Sequence, residues 1–139
     1  MLDEKALFEL LKEWYIPDLV MSRNQFSSWD CYSPITKMRI ELKCRRKHYD
    51  ELLIERFKYN KMMDKVAPHG DTPYYICATP NGVWSFNLHK VEELEWFIKR
   101  MPRTTDFRRR EYVEKEVGVI HIDLGTNLFV FNKYDKKSI

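Results

Sequence analysis

The sequence predicts an α/β (α+β) domain in which a central mixed β-sheet is flanked by helices. Three observations favour it. Residues 2–14 place apolar side chains at helical spacing, and residues 37–43 alternate in polarity as a half-buried strand does. Two strand-like runs also flank Asn81-Gly82, a pair typical of tight hairpins. The 139 residues suffice for one domain, 1–139, with a sizeable core.

The first helix is predicted from Leu2 to about Trp14. Its apolar stripe consists of Leu7, Leu10, Leu11 and Trp14. Pro17 ends it, because proline cannot continue a helix. Residues 19–25 then read as a polar loop that contains Arg23.

Residues 27–43 predict two short strands joined by a Ser-Pro turn. Successive side chains of a strand face opposite sides of the sheet, so the second strand has an apolar face and a charged face. The apolar residues are Met38, Ile40 and Leu42, and the charged residues are Arg39, Glu41 and Lys43. Asp30 lies on the first strand, eleven residues before Glu41.

The remaining elements alternate between helices and strands. A second long helix is predicted over Tyr49–Val66 and ends before Pro68. The other predicted elements are strands Pro73–Thr79 and Val83–Leu88, a third helix Val91–Met101, a strand Glu116–Ile122 and an edge strand Leu128–Phe131.

Composition and cysteine spacing favour a soluble intracellular protein. Cys31, Cys44 and Cys77 form no CxxC motif, which predicts free thiols in a reducing compartment such as the cytoplasm. No apolar run is long enough to span a membrane, and the N-terminus shows no signal-peptide pattern. A bacterial cytoplasm during phage infection fits equally well. The sequence also lacks nucleotide-binding glycine motifs and zinc-ligand spacing.

The pattern of Asp30, Glu41 and Lys43, D-x10-E-x-K, resembles the active-site signature of the PD-(D/E)XK nuclease superfamily. Trp29 replaces the proline of that signature. The resemblance covers roughly the first ninety residues and implies a restriction-endonuclease-like core.

The resemblance implies a metal site. Asp30 and Glu41 would hold Mg²⁺, for which Mn²⁺ could substitute, and the Leu42 carbonyl would complete the site. Lys43 would be the catalytic amine beside the phosphate. The competing interpretation is a solvent-exposed strand face on which Glu41 and Lys43 form ion pairs with residues of neighbouring strands.

The first helix of the resembled family often adds one acid to the metal site. Glu4 fits best, because its E-x2-L-x3-L context is similar to that of archaeal Holliday-junction resolvases. Glu9 is the second candidate and Glu13 the third. Each could equally be a solvent-facing helix glutamate.

Basic residues predict a surface that binds nucleic acid, although the net charge is only +3. The candidates are Arg23, Arg45, Arg46, Lys47, Lys58 and Lys61. A second basic cluster consists of Arg100, Arg103, Arg108, Arg109 and Arg110. For either cluster, solvated surface is the competing interpretation.

The function that these residues favour is a Mg²⁺-dependent endonuclease that hydrolyses DNA. A phage or mobile-element enzyme and a junction resolvase both fit, and a homodimer is expected because cutting both strands needs two sites. One alternative is a non-catalytic nucleic-acid-binding module of the same fold. Another is a partner-binding protein in which the motif is coincidence. A cation site formed by Asp64, His69 and Asp71 is a minor alternative.

Overall fold

The computed structural model describes residues 2–23, 29–91, 94–102 and 111–131. These residues form two α-helices, nine strands and two short 3₁₀ helices, Ala67–His69 and Ile122–Leu124. The helices are α1 (Glu4–Trp14) and α2 (Arg56–Val66). The strands are β1 (Val20–Met21), β2 (Cys31–Ser33), β3 (Met38–Cys44), β4 (Glu51–Glu55), β5 (Thr72–Thr79), β6 (Gly82–Asn87), β7 (Trp96–Pro102), β8 (Tyr112–His121) and β9 (Thr126–Val130).

The larger sheet has six strands in the order β1-β2-β3-β5-β6-β9. Its β3 and β5 are parallel, and its other neighbouring strands are antiparallel. The predicted central mixed sheet flanked by helices is therefore confirmed. The parallel register sets Glu41 beside Tyr75 and Lys43 beside Cys77, so these side chains share one face.

The first helix covers the apolar face of β3. Asp3 caps α1, because its Oδ1 accepts a hydrogen bond from the Ala6 backbone N–H at 2.7 Å. Leu7 and Leu11 are fully buried in one core cluster with Ile40 and Leu42. The predicted helix and the predicted two faces of β3 are both confirmed.

The Asn-Gly hairpin is confirmed as β5 and β6. Gly82 has φ +158°, and a Cβ at this position would collide with the carbonyl oxygen of Phe129 on β9. The predicted last two strands also form, and β8 begins at Tyr112, earlier than expected. β9 is an edge of the six-stranded sheet, as predicted.

The predicted long helix over residues 49–66 is wrong in its first third. Glu51–Glu55 forms strand β4, and helix α2 begins only at Arg56. β4 pairs with β8, and Leu52 lies opposite Ile120. A short apolar run suits a strand or a buried helix equally, and the pairing with a strand some seventy residues later decided between them.

The predicted third helix over residues 91–101 is also wrong. Trp96–Pro102 forms strand β7, which pairs antiparallel with β8 and completes a three-stranded sheet in the order β4-β8-β7. The run Trp96, Phe97, Ile98 is aromatic and β-branched, so it suits a strand once a partner strand is available. The predicted basic loop 103–110 lies outside the described residues.

A second core packs against the face of the large sheet that carries Glu41 and Lys43. It joins β5 and β6 of the large sheet to β4, β8 and α2, and its buried residues are Leu52, Met62, Tyr75, Cys77, Phe86, Leu88, Ile120 and Ile122. The large sheet therefore lies between α1 and a layer made of α2 and the small sheet. No helix in the described residues is long and apolar enough to cross a membrane.

Candidate active site

Hydrogen bonds on both sides fix Asp30 just before β2. Its backbone N–H donates to the Ile40 carbonyl and its own carbonyl accepts from the Ser22 N–H, both at 2.8 Å. Its carboxylate Oδ2 accepts from the Leu42 backbone N–H at 2.7 Å. Asp30 is thus held against β3 by backbone and side chain.

The carboxyl groups of Asp30 and Glu41 lie within hydrogen-bonding reach of each other. Burial, followed by the negative charge of Asp30, raises the pKa of Glu41 to about 8, and the charge of Lys58 opposes this. Asp30 lies one residue before the strand on which the sequence predicted it, yet its carboxylate still lies close to Glu41 on β3. Two such neighbouring carboxylates, one of them strongly destabilised in its charged form, are suited to share a cation. The predicted pair is therefore brought together.

The Leu42 carbonyl faces the same edge of β3 as Asp30. In a strand, the N–H and C=O of one residue point to the same side, and the Leu42 N–H points to the Asp30 carboxylate. β2 begins only at Cys31, which lies opposite Ile40, so Leu42 lies beyond its paired residues. The carbonyl is thus directed toward the side of β3 on which the Asp30 carboxylate lies.

This donor set fits magnesium better than zinc. Within the described residues, no three His, Cys, Asp or Glu side chains gather closely enough to hold a metal ion among themselves. Mg²⁺ commonly binds through one or two carboxylates and keeps several waters, whereas a structural zinc site is usually closed by four protein ligands, most of them Cys and His. Asp30, Glu41 and the Leu42 carbonyl would hold it.

Lys43 and Glu4 lie beside the acid pair. Glu4 is the first residue of α1. Partial burial, followed by the charge of Asp30, raises the pKa of Glu4, while the charge of Lys43 lowers it. Glu4 therefore lies near both Asp30 and Lys43. Glu4 and Glu9 are both exposed, but Glu9 lies about 140° around α1 from Glu4, so the direction of the side chain separates the first two candidates.

Helix α2 directs Lys58 toward the site. The charge of Lys58 acts on Glu41, and the Lys58 Nζ lies 3.1 Å from Glu55 Oε2. Glu55 also pairs with Lys115 at 2.5 Å, which ties the start of α2 to β8. Lys61, the other lysine predicted on this helix, is exposed.

The predicted basic residues differ in how exposed they are. Arg46 and Lys47 are exposed, as is Arg23 before the site. Arg45 is half-buried, its Nε has no hydrogen-bond partner among the described residues, and its charge acts on the Tyr75 hydroxyl. Arg45 is therefore not part of an open basic surface.

Sequence reasoning missed the residues that hold Trp29. The guanidinium carbon of Arg39 lies 4.2 Å from the centroid of the Trp29 ring, and Arg39 Nε pairs with Asp71 Oδ2 at 2.6 Å. This contact anchors the residue that precedes Asp30.

Since Asp71 forms this ion pair and belongs to no cluster of three metal-binding side chains among the described residues, the structure does not support the cation site of Asp64, His69 and Asp71. Arg39 and Asp71 are 32 residues apart, and no local pattern links them.

The chain is similar in fold to solved structures. No protein-family model and no curated protein matches the sequence. Among solved structures, the chain is similar to Hjc, a Holliday junction resolvase from the archaeal hyperthermophile Archaeoglobus fulgidus, with a TM-score of 0.56. The match covers 88% of this chain and 94% of that chain at 17% identity. The fold is restriction-endonuclease-like.

Proposed function

We propose that this protein is an endonuclease that hydrolyses phosphodiester bonds of DNA with Mg²⁺, and that its substrate is branched DNA of the junction type. The observation that carries the proposal is the contact between the Asp30 and Glu41 carboxyl groups beside Lys43. The similarity of the fold to that of a Holliday junction resolvase supports the substrate class.

The chain's own residues have separable roles in this proposal. Asp30 and Glu41 would hold the cation, with the Leu42 carbonyl as a third ligand. When bound, Mg²⁺ supplies an activated water and draws charge from the phosphoryl oxygens. Lys43 places a positive charge beside the same phosphate, where negative charge develops in the transition state.

Glu4 acts through Lys43. The charge of Lys43 acts on Glu4, and the Glu4 carboxylate would in turn attract the amine to the side of the acid pair. Glu4 is thus a positioning residue in this proposal.

A binding module without catalysis explains the acid pair less well. Binding DNA requires positive charge, and two adjacent carboxylates repel phosphate. Holding Glu41 against Asp30 disfavours the charged form of Glu41. A bound cation removes this penalty, so the pair is best explained by metal binding.

Exposed cations provide the DNA contacts. Arg23, Arg46, Lys47 and Lys61 are exposed and would bind backbone phosphates, which gives affinity without sequence preference. We further propose a homodimer, because symmetric cutting of a junction needs two active sites.

Incubation with defined DNA forms tests the proposal. Plasmid, linear, nicked and four-way-junction DNA are compared in Mg²⁺, in Mn²⁺ and in chelator. We expect cutting of the junction in either metal and none in chelator. Asp50→Asn, an exposed acid outside the site, is the matched control for Asp30→Asn. Cutting that survives in Asp30→Asn or in chelator contradicts the proposal, and metal-independent binding without cutting favours the non-catalytic module.

A further inference from the structure

Strands β7 and β8 continue past the rest of the small sheet as a two-stranded ribbon. The pairing of β4 with β8 ends at Val117, whereas the pairing of β7 with β8 continues as far as Tyr112. The ribbon therefore consists of residues 98–102 and 112–116. None of these residues is buried, so both faces of the ribbon are open to a binding partner.

The root of the ribbon is attached to the start of α2. Glu116 Oε2 lies 2.7 Å from Arg56 Nη1, and the Arg56 guanidinium carbon lies 5.5 Å from the centroid of the Trp96 ring. Glu55, which precedes α2, pairs with Lys115 at 2.5 Å. Since α2 and the small sheet pack on the face of the large sheet that carries the proposed active site, the ribbon begins on that side of the molecule.

The two edges of the ribbon carry opposite charges. The β7 edge contains two exposed cations, Lys99 and Arg100, and no acid. The β8 edge contains two exposed acids, Glu114 and Glu116, and its lysine is already paired with Glu55. A polyanion would therefore bind along β7 and be repelled by β8.

The same residues disfavour pairing of the β7 edge with a second copy of the chain. An exposed edge strand offers unpaired backbone groups, and charged side chains and proline on the edge prevent such pairing. Lys99 and Arg100 lie at the centre of β7, and Pro102 at its end lacks a backbone N–H. Two β7 strands paired about their centres would bring these cations together. The edge is therefore better suited to a ligand of opposite charge.

The ribbon is long enough to follow a DNA duplex. Val117 and Tyr112 are five positions apart on β8, which corresponds to about 17 Å. Nucleotides of one strand rise by about 3.4 Å each, so this length matches about five base pairs. The Arg100 guanidinium carbon lies 5.7 Å from the centroid of the Tyr112 ring, which supports this cation in the far half of the ribbon.

Arg100 belongs to the second basic cluster of the sequence, which the active site does not use. The chain that continues from Pro102, residues 103–110, lies outside the described residues. Its sequence contains four arginines and one aspartate. The sequence thus adds further positive charge to the two cations of β7.

We propose that the β7–β8 ribbon is a second DNA-binding element, in which Lys99 and Arg100 bind backbone phosphates of the duplex arm that leaves the active site. This proposal rests on the proposed nuclease function and names a contact surface outside the active site. Contacts to phosphates carry no sequence information, so the ribbon adds affinity for a duplex arm of any sequence.

Salt titrations of junction binding test the proposal in chelator, where no cutting occurs. The variants are Lys99→Ala, Arg100→Ala and the double variant. Each lost phosphate contact lowers the slope of the logarithm of the binding constant against the logarithm of the salt concentration by about 0.9. We therefore expect a decrease of about one for each single variant and about two for the double variant. An unchanged slope in the double variant would overturn the proposal.

Two matched controls accompany these variants. Lys12→Ala removes an exposed cation from α1, on the opposite face of the large sheet, and should leave the salt slope unchanged. Glu114→Gln removes an exposed acid from the β8 edge, and its binding should be equal to that of the wild type or tighter. Glu114→Gln binding that is weakened as much as that of Arg100→Ala would show that the charge of the β7 edge does not bind DNA.

Junctions with progressively shorter arms provide a readout that a merely structural role would not move. Wild-type binding should weaken once the arms no longer reach the cations of β7, and binding by the double variant should not change over the same range of lengths. Equal responses of the two proteins reject the ribbon contact.

A second copy of the chain is the alternative occupant of the ribbon. If the double variant changes the mass of the protein in solution and leaves its DNA affinity intact, the ribbon joins two copies and the proposal is wrong. Failure of the nuclease function is distinguishable, because it concerns cutting by the wild type in Mg²⁺, which none of these binding measurements uses.

Discussion

The carboxylate of Asp30 accepts a hydrogen bond from the backbone N–H of Leu42 at 2.7 Å. This bond joins Asp30, which precedes β2, to Leu42, which lies between Glu41 and Lys43 on β3. The Leu42 carbonyl points to the same side of β3 as its N–H, so this contact sets two of the three proposed metal ligands side by side.

Replacing Asp30 with Asn or Glu41 with Gln should abolish cutting. Each change removes one charge from the proposed metal site and keeps the shape of the side chain, and we expect cleavage to fall by at least about a hundredfold. DNA binding should stay equal or become tighter, because a negative charge near the phosphate is gone. Cleavage and binding are measured in parallel on the same junction, and retained cutting by both variants would reject the site.

Glu4→Gln and Glu9→Gln should separate the two first-helix candidates. Glu4 lies near Lys43 and Asp30, so its neutral variant should cut about tenfold more slowly. Glu9 is exposed on another side of α1, and its variant should match the wild type. Single-turnover rates at saturating Mg²⁺ are the measurement, and a slower Glu9→Gln would reverse the assignment.

The stability of the metal-free protein should fall as pH rises from about 4.5 to about 8. Glu41 has a pKa near 8 in the folded protein and an ordinary value of 4.5, so the folded state binds more protons within this window. The contribution of Glu41 to the free energy of unfolding is fully present below its ordinary pKa of 4.5. It is lost as the pH rises through about 8, the pKa of Glu41 in the folded protein. Thermal unfolding in chelator measures the slope.

Glu41→Gln is the control for this pH effect. Its unfolding temperature should be less sensitive to pH, because the titrating group is absent. Mg²⁺ should stabilise the wild type more at pH 8 than at pH 5, since metal ligands must be deprotonated. Identical pH slopes for wild type and Glu41→Gln would show that this carboxyl does not titrate as proposed.

Asp71→Asn should destabilise the fold by about 1–3 kcal/mol, the cost of leaving a largely buried polar group without its partner. The change leaves Arg39 with a largely buried charge and loosens the support of Trp29, which precedes Asp30. Chemical denaturation measures the difference. Glu116→Gln breaks the exposed ion pair with Arg56, whose side chains are 45% and 51% exposed, and should change stability by less than about 1 kcal/mol. Equal effects of the two variants would contradict the role of the Arg39–Asp71 pair.

Local patterns predicted most of the six-stranded sheet and α1. The alternation from Met38 to Lys43 depends only on strand geometry, and Asn81-Gly82 favours a hairpin through its own backbone preferences. The same reasoning failed at β4 and β7. There the apolar residues fit helical spacing, and only β8 supplied the hydrogen-bonding partner that made both segments strands.

The sequence by itself determined that a glutamate and a lysine would share one face of a strand, because strand side chains alternate, and that an aspartate would lie nearby, although Asp30 precedes β2 and is not part of it. Only the tertiary structure decided what surrounds them. Glu4, Lys58, Tyr75 and Asp71 reach the site or its support from four other parts of the chain. Such contacts depend on how whole elements pack in space, and no local pattern of residues specifies that packing.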